Sequence, residues 1–178
     1  MVSAVVDLDL VEQFLNTLDR RTFRWHGQQH VAADRLTSVE ALSAWLEAHD
    51  LVPAGQQLGP ADLAAAIALR TALREALSDD TDDADAVRAL ADFPLRLAPD
   101  ASGRLRVTAA SGVPGLAPVV EAVAVSVAGG GWNRLKLCAA PDCRWAFLDA
   151  SRNGGGRWCA MSACGNRTKT RAYRRRAD

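Results

Sequence analysis

The sequence predicts an α+β protein in two parts: a mostly helical amino-terminal domain with one small β-hairpin, and a compact carboxyl-terminal module held together by cysteines. Three observations predict this arrangement. Apolar residues recur with helical period through most of residues 1–131, two short stretches of that region alternate with period two around a turn, and all four cysteines fall within residues 138–164. We therefore divide the chain into residues 1–131 and 132–178.

The chain is long enough for one ordinary domain and a small module, since it has 178 residues of which 49% are hydrophobic. No run reaches the roughly 20 apolar residues that a membrane-spanning helix needs. The first residues carry no basic side chain, and Asp7, Asp9 and Glu12 interrupt the apolar run, which is unlike a secretory signal. We expect a soluble protein of the reducing cytoplasm, where thiols stay free.

The first element is a predicted amphipathic helix over residues 7–20. Its apolar stripe has helical period and consists of Leu8, Val11, Leu15 and Leu18. Residues 21–35 are polar and aromatic without a clear period, which predicts a loop or short extended structure. His26 and His30 have a metal-ligand spacing there, but no Cys, Asp or Glu accompanies them on a predicted helix, which favours solvated side chains.

Two further helices carry start signals. The stretch Thr37-Ser38-Val39-Glu40 has the pattern of a capping box with Thr37 as the cap, and we expect that helix to run to about His49. The next helix begins with Pro60 in its first turn and continues to Ser78.

The helix over residues 60–78 should have a core face and a solvent face. The spacing of Leu63 and Ile67 predicts the core face, and we expect Arg70 and Arg74 to face solvent. Arginines at this spacing can also meet nucleic acid, but the acidic composition of the domain disfavours that role.

Residues 79–85 form an acidic run, which raises the question of a calcium site. A calcium-binding loop of the EF-hand type needs glycine at its sixth position and glutamate at its twelfth, and counting from Asp80 these are Asp85 and Ala91. We therefore predict a solvated linker. Its acids favour the start of a short helix over residues 85–93, because they interact with the positive end of a helix.

The end of the amino-terminal domain combines a hairpin and an apolar helix. Residues 94–98 and 104–108 alternate with period two around a turn, which predicts a hairpin whose arginines share one exposed face. Residues 114–128 are mostly apolar and predict a buried helix despite their valines. The three glycines at 129–131 end the domain.

The formal net charge of zero hides a strong asymmetry between the two parts. Residues 1–131 hold 10 Lys+Arg against 18 Asp+Glu, whereas residues 132–178 hold 11 against 3. A strongly basic module attracts polyanions, above all nucleic acid. The alternative is that the acidic part neutralises the basic part within or between molecules.

The cysteines form two pairs with four intervening residues each, separated by fifteen residues. Two short loops with two thiols each can supply the tetrahedral ligand set that zinc prefers. Two disulfides, or four unrelated buried thiols, are the alternatives, and a reducing compartment disfavours the first. We predict one structural Zn²⁺ with the ligands Cys138, Cys143, Cys159 and Cys164. Four thiolates leave no open position on zinc, so we expect no enzyme.

The module has the order of a treble-clef-like finger. Residues 132–137 and 144–149 alternate as a hairpin would, and a helix is predicted to start near Cys164. Its small core is expected from Trp132, Trp145, Phe147 and Trp158. With so few apolar residues, the metal must supply most of the folding energy, on the order of 10 kcal/mol for structural zinc.

The predicted last helix is rich in cations at helical spacing. Arg167, Arg171 and Arg174 lie at i, i+4 and i+7 with Arg175 beside them, and the neighbouring stripe consists of Lys169, Tyr173 and Arg176. Guanidinium groups match phosphate oxygens and the guanine edge, so this stripe is a candidate DNA surface. A charged tail that solubilises the finger is the alternative. Whether Asn166 and Arg167 contact nucleic acid or support the thiolates stays open.

The same residues carry a resemblance to a known family. Cys164-Gly165-Asn166-Arg167 and its flanks resemble the CGNR zinc finger, and residues 14–19 resemble the opening helix of the ABATE domain, its usual amino-terminal partner. The resemblance implies a stress-induced transcription regulator of a mostly bacterial family.

Two functions are compatible with these observations. The first is a zinc-dependent, DNA-binding transcription regulator whose amino-terminal domain senses a small-molecule or protein signal. The second is a zinc-stapled protein–protein interaction module that docks on an acidic surface without touching nucleic acid. Oxidation of the thiolates by peroxide would add a redox switch to either function.

Overall fold

The computed structural model describes residues 8–78, 88–110 and 112–177 of the chain. Within these ranges the α-helices are α1 (Leu8–Leu15), α2 (Val39–Ala48), α3 (Pro60–Ala76), α4 (Ala117–Ala128) and α5 (Asn166–Ala177). The strands are β1 (Leu18–Asp19), β2 (Arg24–Trp25), β3 (Gln28–Gln29), β4 (Ala33–Asp34), β5 (Leu95–Pro99), β6 (Leu105–Ala109), β7 (Leu135–Leu137) and β8 (Ala146–Leu148). They pair antiparallel as β1–β4, β2–β3, β5–β6 and β7–β8. The α+β class is confirmed.

Helix α1 lies at the centre of the molecule and contacts α3, α4 and β8. Val11, Phe14 and Leu15 on it are fully buried. The ring centroids of Phe14 and Trp45 lie 5.4 Å apart, which joins α2 to the same core. A fully buried side chain of this size contributes about 1.5–3 kcal/mol, so this short helix is held by its packing rather than by its own length.

Helix α1 ends earlier than predicted, at Leu15 rather than near Arg20. Thr17 is buried, and its hydroxyl donates a 2.7 Å hydrogen bond to the carbonyl of Phe14, which satisfies a carbonyl at the end of the helix. The chain then extends as β1. Local side-chain bonding to the backbone therefore stops the helix where apolar periodicity alone would continue it.

Residues 18–34 form two small ladders, as the prediction of short extended structure allowed. β1 pairs with β4, and β2 pairs with β3 around a tight turn. His26 is exposed, as expected, whereas the His30 ring packs against Phe23 with centroids 5.0 Å apart. Neither histidine belongs to a group that could hold a metal ion among the described residues.

The cap of α2 has the predicted chemistry with one correction, and α3 begins with Pro60 in its first turn as predicted. The cap of α2 is Ser38 and not Thr37: the Ser38 hydroxyl accepts a 3.2 Å hydrogen bond from the Ala41 amide. At the start of α3 the Asp62 carboxylate accepts a 2.7 Å hydrogen bond from the Gly59 amide. Each contact satisfies a backbone donor that a helix start leaves unpaired.

The expectation that Arg70 and Arg74 face solvent is wrong. Arg70 is only 2% exposed, and its guanidinium donates two 2.6 Å hydrogen bonds to Asp34 and one of 2.9 Å to Thr17. Arg74 is 5% exposed and donates to the carbonyls of Leu15 and, at 2.7 Å, Arg144. Hydrogen-bond partners that are distant in sequence compensate the cost of burying these two charges. Helical periodicity alone could therefore not predict that the two arginines are buried.

The hairpin and the last helix of the amino-terminal domain confirm the predicted types. In the β5–β6 hairpin Arg96 lies opposite Thr108 and Arg106 opposite Ala98, which places both arginines on one face. Helix α4 is buried on one side only, since Val127 is 58% exposed, so the prediction of a buried helix holds for one face. Of the predicted helix over residues 85–93, the structure describes residues 88–93, and there a 3-10 turn (Ala89–Asp92) takes the place of a regular α-helix. The acidic run at 79–85 lies outside the described residues.

No helix in the described ranges is long and apolar enough to span a membrane.

Candidate metal centre and nucleic-acid interface

The first pair of cysteines lies in a turn that follows β7. The amide of Cys138 donates a 2.8 Å hydrogen bond to the carbonyl of Trp145, and the amide of Cys143 donates a 2.9 Å hydrogen bond to the carbonyl of Ala140. Arg144 closes the turn with a φ of +52°, in the left-handed region that few non-glycine residues adopt. This turn brings Cys138 and Cys143 to one side of the finger hairpin, which β7 and β8 form.

The second pair lies in the segment that leads into α5. A π-helical turn (Met161–Gly165) carries Cys164 and runs directly into α5. The amide of Cys164 donates to the carbonyl of Ala160 at 2.9 Å. Ala139 donates a 2.8 Å bond to the carbonyl of Arg157 and so ties the segment before Cys159 to the first turn. The predicted helix start near the fourth cysteine is confirmed, and hairpin, turns and helix follow in treble-clef-like order.

The four sulfur atoms fit a zinc tetrahedron. They all lie within 4.8 Å of one another, and the Sγ–Sγ distances are 3.7 Å for Cys143–Cys159 and 3.8 Å for Cys159–Cys164. Four Zn–S bonds of about 2.3 Å place sulfurs about 3.8 Å apart in a regular tetrahedron. A disulfide needs about 2.05 Å, so these thiols are not bridged. The cysteines are therefore suited to one structural zinc ion.

The proximity of the thiols changes their protonation. Hydrogen bonds with Cys143 and Cys159 lower the pKa of Cys138 to about 2. The bond with Cys138 raises the pKa of Cys143 far above its ordinary value and that of Cys159 to about 12. One thiolate therefore forms readily and the others resist ionisation until a cation offsets their repulsion. A soft divalent cation such as Zn²⁺ supplies that charge when bound.

The small core around the cysteines differs from the predicted one in two aromatic residues. Phe147, Trp145 and Trp158 pack there as predicted. Trp132 packs instead against the core of the helical domain. Phe23 of the amino-terminal region takes part in the finger core and is buried. The finger core therefore includes a side chain from the first part of the chain, which cysteine spacing alone could not indicate.

Arg167 is engaged at the metal centre. Its guanidinium lies 3.5 Å from the centroid of the Phe23 ring, and Nη2 donates to Asp142 at 2.9 Å and to the Cys164 sulfur at 3.5 Å. A hydrogen bond to a ligating thiolate is the contact that orients and stabilises a metal ligand. Asn166 lies exposed at the start of α5, and of the two residues whose role the sequence left open it is Arg167 that contacts a cysteine sulfur.

Four further cations of α5 are exposed to solvent. Arg171 donates a 2.9 Å hydrogen bond to Asp142 yet is 54% exposed, and Lys169, Arg174 and Arg175 are exposed. An open concavity of about 390 Å³ is lined by Pro141, Thr168, Arg171, Arg174 and Arg175. Three of the residues predicted to contact nucleic acid thus line one surface concavity. Arg167, which was also predicted to do so, lies at the cysteines instead. Nucleic-acid contact by any of these residues stays a prediction.

Two protein-family models match the chain. The CGNR zinc finger model matches residues 134–177. The ABATE model, described as "Putative stress-induced transcription regulator", matches residues 8–130, which is more than half of the chain. The chain belongs to the ABATE family. No curated protein matches it. The order of the two matches is the order that the sequence resemblance implied, with the CGNR finger following the ABATE domain.

The ABATE domain and the CGNR finger share a core. Leu135 and Ala146 of the finger hairpin are buried in the same apolar cluster as α1, and Trp132, Leu137 and Leu148 pack against it. Hydrogen bonds accompany this packing: Arg74 binds the Arg144 carbonyl, and the Arg144 side chain donates to Ser78 at 2.9 Å. The finger is therefore attached to α1 and to the end of α3. The domain boundary at residues 131 and 132 stays a prediction.

Asp149 holds the glycine-rich loop of the CGNR finger. Its buried carboxylate accepts hydrogen bonds from Lys136 Nζ at 2.7 Å and from the amides of Ser151 and Gly156 at 3.0 and 2.7 Å. The Lys136 ammonium, and then the Ser151 contact, keep the pKa of Asp149 well below its usual range. Lys136 also donates to the carbonyl of Gly154. The loop is thus folded onto its own finger hairpin.

Sequence reasoning missed these supporting residues, although the composition held a signal for two of them. The finger contains three carboxylate residues against 11 cations. Two of the three, Asp142 and Asp149, bind cationic side chains inside the finger. In a strongly basic module, an isolated acid within the folded region is thus a candidate structural partner.

Proposed function

We propose that this ABATE protein is a zinc-dependent transcription regulator whose CGNR finger binds duplex DNA through α5. The observation that carries the proposal is a set of exposed cations on a helix anchored at a four-thiolate centre. Arg171, Arg174 and Arg175 line one concavity, and Lys169 lies exposed on the same helix. Guanidinium groups in this arrangement can bind phosphate oxygens with two hydrogen bonds each.

The anchoring matters because a surface that is already ordered loses less entropy on binding. Cys164 lies in the turn that leads into α5, and Arg167 holds the first turn of the helix through Asp142 and Phe23. Asp142 also binds Arg171 and so holds one cation of the exposed set in place. The bound metal would fix Cys164 and with it the start of the helix.

Electrostatics supports a polyanionic partner. Residues 132–178 hold 11 Lys+Arg against 3 Asp+Glu. A zinc ion with four thiolates carries about two negative charges, which offsets only a small part of this excess and leaves the finger strongly basic. If Lys169, Arg171, Arg174 and Arg175 each neutralise one phosphate, the logarithm of the binding constant should fall with the logarithm of salt at a slope of about −3.6. Phosphate contacts of this kind give affinity and position but not sequence specificity.

The test uses the full zinc-loaded chain and random-sequence duplex DNA, with fluorescence anisotropy measured between low and physiological salt. The Arg174→Glu, Arg175→Glu double variant should bind far more weakly and with a smaller salt slope. The matched control is Arg96→Glu, Arg104→Glu, which makes the same charge change at two exposed arginines of the β5–β6 hairpin. Equal binding by the two double variants, or no binding of the wild type at low salt, would contradict the proposal.

The same measurement separates the interaction-module alternative. A basic finger that docks on acidic proteins should bind poly-glutamate as tightly as it binds DNA at equal salt. A DNA-binding finger should prefer the duplex, because its arginines fit phosphate geometry. Removing zinc with a chelator should abolish binding in either case, which shows that the folded finger is required.

We propose further that the ABATE domain passes a small-molecule or protein signal to the finger. A cavity of about 520 Å³ lies between the end of α3 and the finger, with Ser78, Trp132, Lys136, Gly156 and Arg157 among its lining residues. A molecule bound there would contact both parts. Ser78→Ala, which removes the bond to Arg144, should lower DNA affinity at unchanged zinc content, whereas Ser102→Ala in the β5–β6 turn should not. Unchanged affinity in Ser78→Ala would contradict this coupling.

We propose no catalytic role for the metal centre. Four thiolates complete the tetrahedron of zinc and leave no position for water or substrate. We also propose that the protein works in the reducing cytoplasm of a bacterium and serves a stress response. The sulfur separations, which suit metal thiolates and not disulfides, support the reducing compartment, and the ABATE family description supports the stress response.

A further inference from the structure

We propose that the 22–30 hairpin of the ABATE domain, which carries β2 and β3, is a second DNA-contacting element beside α5. This inference rests on the proposed function, because it adds a β-ribbon to the DNA surface of the finger. It assigns a binding role to residues outside the CGNR finger.

The base of the 22–30 hairpin is attached to the finger. The amide of Thr22 donates a 3.0 Å hydrogen bond to the carbonyl of Asp142, and Phe23 is buried in the finger core beneath the guanidinium of Arg167. The carboxylate of the same Asp142 binds Arg171 of the exposed set. A single residue therefore connects the hairpin base to the proposed DNA surface.

The hairpin itself is a regular two-stranded ribbon. The amide of His30 donates to the carbonyl of Phe23 at 2.9 Å, Arg24 pairs with Gln29, and Trp25 pairs with Gln28. The two residues of the turn, His26 and Gly27, have φ values of +46° and +77°. Positive φ at both central positions is the mark of a type I′ turn, whose twist matches that of the strands.

The charge of this segment differs from that of its domain. Residues 20–33 contain three arginines and no Asp or Glu, although residues 1–131 as a whole hold 18 Asp+Glu against 10 Lys+Arg. Of the three, Arg21 is paired with Asp19 at 2.6 Å, whereas Arg24 is exposed. This segment, which is one of several parts of the acidic domain that touch the finger, therefore carries no negative side chain, and that suits a surface close to phosphates.

The exposed side chains are types that contact nucleic acid. Arg24 and Gln29 lie opposite each other, and so do Trp25 and Gln28, and all four are exposed, Trp25 by 39%. Arginine can bind phosphate or the guanine edge, glutamine can bind the adenine edge with two hydrogen bonds, and the major groove admits a two-stranded ribbon. An exposed tryptophan offers a ring for contact with a sugar or base. Duplex DNA is the partner that fits this set next to α5.

The test compares Arg24→Glu with Arg96→Glu in the full zinc-loaded chain. Both arginines are exposed in two-stranded hairpins of the ABATE domain, and both changes alter the net charge equally. We expect Arg24→Glu to weaken duplex binding about tenfold and to reduce the salt slope by about one, because one phosphate contact is lost. Arg96→Glu should bind like the wild type. Circular dichroism and zinc content check that both variants are folded.

A second measurement does not depend on any variant. Amide hydrogen exchange of the wild type should slow in residues 24–29 when duplex DNA is added, and residues 95–109 should not change. If the wild type binds DNA and Arg174→Glu, Arg175→Glu weakens it, while Arg24→Glu equals its control and residues 24–29 gain no protection, the 22–30 hairpin inference is overturned and the proposed function stands. If the wild type does not bind DNA, both are overturned.

Discussion

The side chain of Asn16 pairs with both backbone groups of Ala146, 130 residues further along the chain. Its Nδ2 donates to the Ala146 carbonyl and its Oδ1 accepts from the Ala146 amide, each at 2.9 Å and in a buried position. An asparagine at the end of α1 thus continues the ladder of β8, as another strand would. The contact links the central helix of the ABATE domain to the strand that follows the first two metal ligands.

We expect Asn16→Ala to lower the free energy of unfolding by roughly 2–4 kcal/mol, because it leaves two buried backbone groups of Ala146 unpaired. Urea denaturation followed by circular dichroism measures the loss. The control is Gln13→Ala on the exposed side of the same helix, which removes only an exposed 3.0 Å hydrogen bond to His49 and should cost less than about 1 kcal/mol. Similar losses in the two variants would show that the Ala146 contacts do not matter.

The ion pair of Asp34 with the buried Arg70 should make stability depend on pH. The hydrogen bond from Arg70 lowers the pKa of Asp34. Because the native pKa lies below the value of about 3.9 in unfolded chains, the carboxylate stabilises the fold fully above that pH, and its contribution is lost as pH falls through the native pKa.

Asp34→Asn should therefore cost about 1–3 kcal/mol at pH 7, and the difference from the wild type should shrink below about pH 4. Urea unfolding at a series of pH values measures it. Asp50→Asn, at an exposed position, is the control and should match the wild type throughout. A difference for Asp34→Asn that stays constant with pH would exclude the ion pair as its cause.

Gly156 lies where a side chain cannot fit. A Cβ atom there would come within 2.5 Å of Asp149 Oδ1, so Gly156→Ala must displace the carboxylate that holds the loop. We expect a loss of about 1–3 kcal/mol in the free energy of unfolding. Gly155→Ala is the matched control, because a Cβ atom at that position meets nothing within 4 Å. Thermal or urea unfolding measures both variants. Equal free energies of unfolding for Gly156→Ala and Gly155→Ala would argue against a stabilising role of the Asp149 contacts.

Arg167 should support the metal centre. We expect Arg167→Ala to lower zinc affinity about 10- to 100-fold, because the hydrogen bond to the Cys164 sulfur is lost. Competition with a chromophoric chelator measures the affinity, and Arg152→Ala, at an exposed arginine of the loop, is the control. If Arg167 serves DNA binding alone, the Arg167→Ala variant will bind zinc as tightly as the Arg152→Ala control does. Only its affinity for DNA will then fall.

The sequence predicted those features whose determinants lie close together in the chain. The two cysteine pairs indicated a four-thiolate centre because only four residues separate the cysteines of each pair. Apolar period predicted α1 and α3, and alternation predicted both the β5–β6 hairpin and the finger hairpin. The predicted cap of α2 was wrong by one residue, because the neighbours Thr37 and Ser38 both carry a hydroxyl group that can cap a helix.

The features that sequence reasoning missed depend on partners far apart in the chain. Arg70 and Arg74 have the spacing of solvent-facing residues, and only the fold brings Asp34 and the Arg144 carbonyl to them, 36 and 70 residues away. Phe23 lies in a polar segment without period, so its place in the finger core had no local sign. Trp132 precedes the first cysteine closely, yet it packs on the helices.

The burial of Leu135 and Ala146 beside α1 has a consequence for biosynthesis. Chains leave the ribosome with the amino terminus first, so α1 to α4 emerge before the strands that cover α1 have been made. The helices cannot complete their packing until the last quarter of the polypeptide has been translated and its cysteines have captured metal. Zinc supply would then set how much of the whole protein matures, and a zinc-starved cell would hold an incomplete form of both parts.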